Sequence, residues 1–360
     1  MYRFLVIVLL FVIGCKTDKK VQHSPELGVT NCKIFVNTDG LRLRATPGEN
    51  GKEIKKLSQD EELKDLNESS TFTSKIKLDG VWYEEPWINI ETMDGVKGWV
   101  FAGAVRFKGD TPSESTLALL EKRAKTIFGK EYFVKIAKYR ELYKNAVTDK
   151  NIQAALQMGD SLRVDLENIL LTKATVSEET GMIANLEWLD VLMPGYQASL
   201  VAEGTEYRLF KDFRQIKEKV KKTSGDADNQ YVEYCMNYYT DSIEYFFGKN
   251  YMLLSDVEGA SLLGEGKHYE LLKGINDCEK NKLFQQEYTA FKNQLLDDIM
   301  GIYGTTYWQP LDKILVEIDK ITKANFLILT KEDVIALATR RSQFLSAKAN
   351  NIVVNLRAGE

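Results

Sequence analysis

The chain has 360 residues, with 48 Lys and Arg against 52 Asp and Glu, a formal net charge of −4 and only two His. A mildly acidic chain without a basic run argues against nucleic acid, whose phosphates need clustered Lys and Arg. With so few histidines and no Cys-x-x-Cys, neither a metal site nor another cofactor is expected. The length allows two domains and a sizeable core.

Residues 1–14 read as a signal peptide: Arg3 gives a positive start and residues 4–13 are unbroken apolar. That run is too short to span a bilayer, which needs about 20 apolar residues. It ends Val12-Ile13-Gly14-Cys15, which resembles the lipobox of bacterial lipoproteins. The resemblance implies that Cys15 is acylated through sulfur, by palmitate-type chains, and becomes the new N-terminus. Several acyl chains would hold the protein firmly, since each buried CH₂ contributes about 0.8 kcal/mol. Losing residues 1–14 removes Arg3 and no acid, so the net charge moves from −4 to −5. Residues 15–30, with Lys19-Lys20, Ser24-Pro25 and Gly28, read as a flexible tether. Lys16 in place of Asp favours the outer membrane, by analogy with enteric lipoprotein sorting. No later stretch is long and apolar enough to span a membrane.

Residues 31–108 carry strand signals. Leu41 and Leu43 alternate with Arg42 and Arg44, and Thr46-Pro47-Gly48 is a turn. Short apolar segments follow at 54–57 and 63–66, then Trp87, Ile88 and Ile90. Asp94-Gly95 predicts a hairpin, because a tight two-residue turn needs positive φ. The returning strand contains Gly98-Trp99-Val100. In order, Leu43-Arg44, Trp87-Ile88-Asn89-Ile90, Asp94-Gly95 and Gly98-Trp99-Val100 resemble the bacterial SH3 (SH3b) domain of cell-envelope proteins. This implies a small antiparallel SH3-like β-barrel that binds a peptide, such as a peptidoglycan stem, or a partner protein. Two features depart from that pattern. Gln59-Asp60-Glu61 stands where the family has a glycine, and residues 67–86 are longer than the usual connection, with an extra hairpin expected at 76–82. The ligand-binding candidates are Trp82, Tyr83, Trp87, Trp99 and Phe101. Trp87 and Trp99 read first as core, whereas Trp82 and Tyr83 sit in the extra hairpin and suit a groove.

After Phe107 helical periods dominate, so the expected fold is α+β multidomain: the SH3-like barrel, then a larger all-α helical domain over 112–360. Thr111-Pro112-Ser113-Glu114 reads as a helix start with Thr111 as cap. Helices are expected near 113–128, 130–146, 151–171, 178–192, 206–222, 231–247, 253–263, 267–278, 282–303, 311–322 and 331–347, and an extended tail near 352–356. Of these, 206–222 has the clearest apolar face: Leu209, Phe210, Phe213, Ile216 and Val220.

Four features of the helical region bear on chemistry. Tyr231, Tyr234, Tyr238 and Tyr245 share a helical face, suiting a buried core more than an aromatic cleft. Glu187, Asp190 and Glu203 flank a helix break; paired carboxylates can cleave a glycosidic bond, but ordinary surface charge is favoured. The glycine-rich 261–268 loop can bind an anion at a helix start, though a plain connection is favoured. Cys235 and Cys278 could pair, but idle thiols are the preferred reading.

The preferred function is a non-enzymatic, membrane-anchored envelope lipoprotein. The alternative is a cell-wall hydrolase of the lytic transglycosylase kind with an SH3-like targeting domain; its usual Glu-Ser motif in a helical core is missing. A third reading is a small-ligand receptor using the tyrosine-rich region.

Overall fold

The computed structural model describes residues 32–109, 111–173, 176–177, 184–201, 206–239, 260–302 and 304–356. Seven strands come first: β1 (Lys33–Val36), β2 (Leu41–Arg44), β3 (Glu53–Leu57), β4 (Glu62–Leu78), β5 (Val81–Thr92), β6 (Lys97–Phe101) and β7 (Val105–Lys108). They form one antiparallel sheet in the order β3-β2-β6-β5-β4-β1-β7. Among the described residues no ladder joins the outer strands β3 and β7. The hydrogen bonding therefore shows an open sheet with two edges rather than the expected closed barrel.

The turns sit where turn chemistry predicts them. Gly95 takes φ +83° between β5 and β6, and Thr92 and Val96 bond across that turn. Asp79 and Gly80 both have positive φ and join β4 to β5. The expected hairpin at 76–82 is therefore present, as the tip of one long β4–β5 hairpin. Bulges interrupt this ladder between Asp65 and Ser69 and between Ser69 and Thr73.

The first bulge carries the residues that seat the first helix, α1 (Glu114–Asn145). The Asp65 carboxylate accepts from the Ser113 and Thr116 hydroxyls at 2.5 and 2.7 Å, and Asn67 Oδ1 accepts from the Ser115 N–H at 3.0 Å. Ser113, not Thr111, is the N-cap, its hydroxyl accepting from Thr116 N–H. The start moves two residues because Asp65 fixes that hydroxyl. Gly129, at φ +80° and ψ 168°, kinks α1 where the sequence divides two helices.

Next come α2 (Asp149–Lys173), α3 (Leu189–Leu192), β8 (Tyr196–Val201), β9 (Glu206–Lys211), α4 (Phe213–Val220) and α5 (Ala227–Tyr238). The rest is α6 (Lys267–Asp277), α7 (Gln285–Met300), α8 (Leu311–Lys323) and α9 (Lys331–Leu345). The β8–β9 hairpin corrects the all-α expectation, and with it the helix at 206–222. Tyr207 and Leu209 alternate inward with period two, and the Asp212 side chain starts a new helix by accepting from Arg214 and Gln215 N–H. Of the helix expected at 178–192 only α3 forms within the described residues; 178–183 lie outside them. So do 240–247 and 253–259, while 260–263 are not helical and Ser261 bridges Tyr307. The tail expected as extended forms no strand: Val353 and Asn355 bond to Tyr307 and Gln309, but Asn355 takes a positive φ of +65°.

Residues 31–360 form one compact unit, and buried side chains of sheet and helices make one contiguous cluster, from Ile34 through Phe107 and Leu119 to Phe344. That continuity places the open face of the β4–β5 tip beside α1.

Candidate binding cleft

The tip of the β4–β5 hairpin presents two aromatic residues. Trp82 stands opposite Lys77 and is 55% exposed, with the Lys75 ammonium 5.4 Å from its ring centroid. Tyr83 stands opposite Ile76 and is half-buried. Ala102–Ala104 pass close behind it: a Cβ on Gly103 would lie 2.9 Å from the Tyr83 Cβ, so only glycine lets the two segments meet. Burial raises the pKa of the Tyr83 hydroxyl, against the opposing pull of a hydrogen bond from the Asn185 backbone and of the Arg123 charge.

Two further segments wall a cleft of about 230 Å³ in front of these rings. One is α1, through Leu119, Lys122, Arg123, Thr126 and Ile127; the other is Ala184 to Leu186 with Trp188. Arg123 ties the walls together. Its Nε donates to Glu85 Oε1 at 2.9 Å, its Nη2 donates to the Ala102 carbonyl at 3.1 Å, and its guanidinium lies over the Phe107 and Trp188 rings. The third wall is pinned by Tyr207, whose hydroxyl accepts from Leu186 N–H at 3.3 Å; burial pushes that hydroxyl's pKa up to about 12. Arg106 pairs with Asp60 and, at 3.7 Å, with Glu187. The Lys122 ammonium has no ion pair among the described residues. A concave site that joins aromatic side chains with charged ones suits binding.

The other sequence candidates fall elsewhere. Trp87 and Phe101 are buried and pack on each other at 5.8 Å, so Trp87 is core, as it reads first in the sequence, and neither it nor Phe101 is a ligand contact. The Trp87 indole N–H is spent on Ser74 Oγ at 2.9 Å. Trp99 is half-buried on β6 opposite Arg44 and Asn89, away from the cleft lining.

The tyrosines of α5 form core rather than cleft. Tyr231 stacks on Phe284 at 4.3 Å, Tyr238 packs on Phe291 at 4.5 Å, and the Tyr234 and Tyr238 hydroxyls reach the Leu271 carbonyl and Gln294. Tyr245 lies outside the described residues.

The carboxylates at the helix break have structural partners. Glu187 pairs with Arg106 and Asp190 accepts from Ala198 N–H at 2.7 Å; Glu203 lies outside the described residues. The glycine-rich loop does bind an anion, but an internal one. The buried Glu317 carboxylate accepts from Gly264, Gly266 and Tyr269 N–H at 2.5, 2.9 and 3.0 Å.

Ser261, His268 and Asp298 meet, which the sequence does not indicate. Both Ser261 Oγ and His268 Nε2 bond the same Asp298 oxygen, at 2.5 and 2.7 Å. The imidazole therefore does not face the hydroxyl, and Ser261 and His268 are fully buried; this is a core polar knot, not a nucleophile and base. Cys235 and Cys278 are free thiols.

Sequence reasoning misses the walls supplied by α1 and by 184–188. The one available signal is the spacing of Leu119, Arg123 and Ile127 at four-residue intervals, which puts them on one helix face. No family, curated protein or solved structure matches the chain.

Proposed function

We propose that this is a lipid-anchored protein of the bacterial cell envelope, held at the outer membrane through Cys15. Its sheet is an SH3-like recognition module that binds a peptide, from a peptidoglycan stem or a partner protein, at the Trp82–Tyr83 cleft. The helical region supplies two walls of that cleft and a second interaction surface. The observation that carries the reading is the position of Trp82 and Tyr83. The two aromatics of the inserted hairpin that suit a groove line one cleft with α1, while Trp87 and Phe101 are core. The Val12-Ile13-Gly14-Cys15 ending supports the anchor.

Lipidation is tested by intact mass and by incorporation of an alkyne-tagged palmitate in a Gram-negative host. The wild type should begin at an acylated Cys15, and Cys15→Ala should accumulate precursor that retains Arg3. A wild-type mature chain that starts elsewhere without acyl groups overturns the anchor.

A further inference from the structure

We propose that the outer face of α8 and α9 rests on an anionic lipid bilayer, with the loop between them entering the headgroup region. This contact is separate from the Cys15 anchor and does not depend on it.

α8 and α9 form a helical hairpin across residues 324–330, tied by the Arg341 guanidinium on the Asp319 carboxylate. Its inner side is buried through Ile314, Ile318 and Ile321 of α8 and Leu337 and Phe344 of α9. Lys313, Val316, Lys320 and Lys323 recur at steps of three and four, which puts them together on the outer face of α8. Lys331, Val334, Ala338 and Leu345 do the same on α9, with Ile335 beside them. A helix face turned to water is ordinarily polar, yet Val316, Ile335 and Leu345 are each more than half exposed. Val316 lies one turn from Asp319, and Leu345 one turn from Arg341, towards the same end of the antiparallel pair. The exposed apolar residues of the two helices therefore share one surface.

The loop continues that surface. Leu327 is 77% exposed although the backbone around it is held. Its N–H donates to Asn276 Oδ1 at 2.7 Å, and the buried Phe326 ring lies 5.5 Å from that of Tyr269. A fixed backbone thus presents an uncovered leucine at the end of the hairpin.

Charge selects the occupant. Residues 311–356 carry seven Lys or Arg against five Asp or Glu, in a chain of net charge −4. Of those acids, Glu317 is buried, Asp319 pairs with Arg341 and Asp333 pairs with Lys292. On α6, beside Asn276, Asp277 pairs with Lys273. Asp312 and Glu332 remain, against Lys313, Lys323, Lys331 and Lys348, all exposed, and Lys320, which lies over the Tyr269 ring at 3.8 Å. Apolar residues set singly among lysines suit a membrane boundary. Leucine and isoleucine enter the acyl edge while lysine side chains reach the lipid phosphates. The core of a protein interface is instead depleted in lysine.

The full wild-type chain is mixed with vesicles of equal parts phosphatidylcholine and phosphatidylglycerol that carry a phospholipid with a diazirine on its acyl chain. After irradiation, labelled tryptic peptides are mapped by mass. Label should fall on peptides 324–331 and 332–340, and about tenfold less on vesicles of phosphatidylcholine alone. Leu327→Asp should lower labelling of 324–331 by about tenfold or more. Met93→Asp, which removes a similarly exposed apolar residue from the sheet, should leave it unchanged. Acylation of Cys15 is read by intact mass on the same sample, so failure of the anchor and failure of this contact are separate results.

The proposal is overturned if neither peptide is labelled, if phosphatidylcholine alone labels them as strongly, or if a folded Leu327→Asp is labelled like wild type. Should Leu327→Asp fail to fold by circular dichroism, Ile335→Asp, read on peptide 332–340, decides in its place. If Leu327→Asp dissolves a dimer seen by sedimentation while lipid label misses both peptides, the face joins two copies of the chain and the bilayer is rejected.

Discussion

Cys235 shows how burial governs a single side chain. It is fully buried on α5, and desolvation pushes its thiol pKa up to about 12, with the Lys211 charge and the Tyr231 hydrogen bond opposing. The thiolate is the reactive species, so Cys235 should be inert in the folded protein. Cys278, also raised by burial, is partly exposed and free. Iodoacetamide at pH 8 should modify Cys278 first and reach Cys235 only in denaturant. Rapid native labelling of Cys235, read by peptide mass mapping, would contradict this placement. Trp82 obeys the same physics from the other side. At 55% exposed it is an aromatic kept in water, and its likeness to Trp87 in sequence hides that difference. Composition identifies both as aromatic; only the hairpin register and the packing against Phe101 separate groove from core.

Among elements, the 261–268 loop depends on a distant partner. Glu317 on α8 accepts from the Gly264 and Gly266 N–H of the loop and from the Tyr269 N–H of α6, fixing α6 against α8. Glu317→Ala should leave those partly buried donors unmet, lowering stability by about 2–3 kcal/mol, since a buried unsatisfied group costs about 1–3 kcal/mol and part exposure lets water relieve some of it. Glu317→Gln keeps one acceptor oxygen and should cost roughly half as much. Equal melting temperatures for Glu317→Ala and wild type would remove Glu317 from this role. The sequence carries the loop's glycines and the following helix, but not Glu317, because a bond spanning some fifty residues leaves no local pattern. The hairpin turns at Asp79-Gly80 and Asp94-Gly95 are legible for the opposite reason: positive φ is a local demand met by local residues. The segment 206–222 sits between these cases. Its apolar residues satisfy both a helical and a strand period over a short window, and pairing with β8 decides for the strand in its first third.

At the scale of the molecule, sheet and helices share one core, and the cleft exists only because they do. The hairpin brings Trp82 and Tyr83, α1 brings Lys122 and Arg123, and the segment before α3 brings Asn185 and Trp188. One of the three walls was therefore readable as hairpin aromatics. The α1 wall depends on where Asp65 and Asn67 anchor the start of that helix, which no local pattern encodes.

The most direct measurement is co-sedimentation of wild type and Trp82→Ala with purified peptidoglycan, together with pull-down of envelope proteins, after circular dichroism confirms both folds. Trp82 is exposed, so its truncation should change stability by no more than about 0.5 kcal/mol. Anchoring aromatics commonly carry about 2 kcal/mol or more of a binding interface, so retention should fall by about tenfold or more. A folded Trp82→Ala protein retained as well as wild type would contradict the account, because the cleft would then not be the binding site.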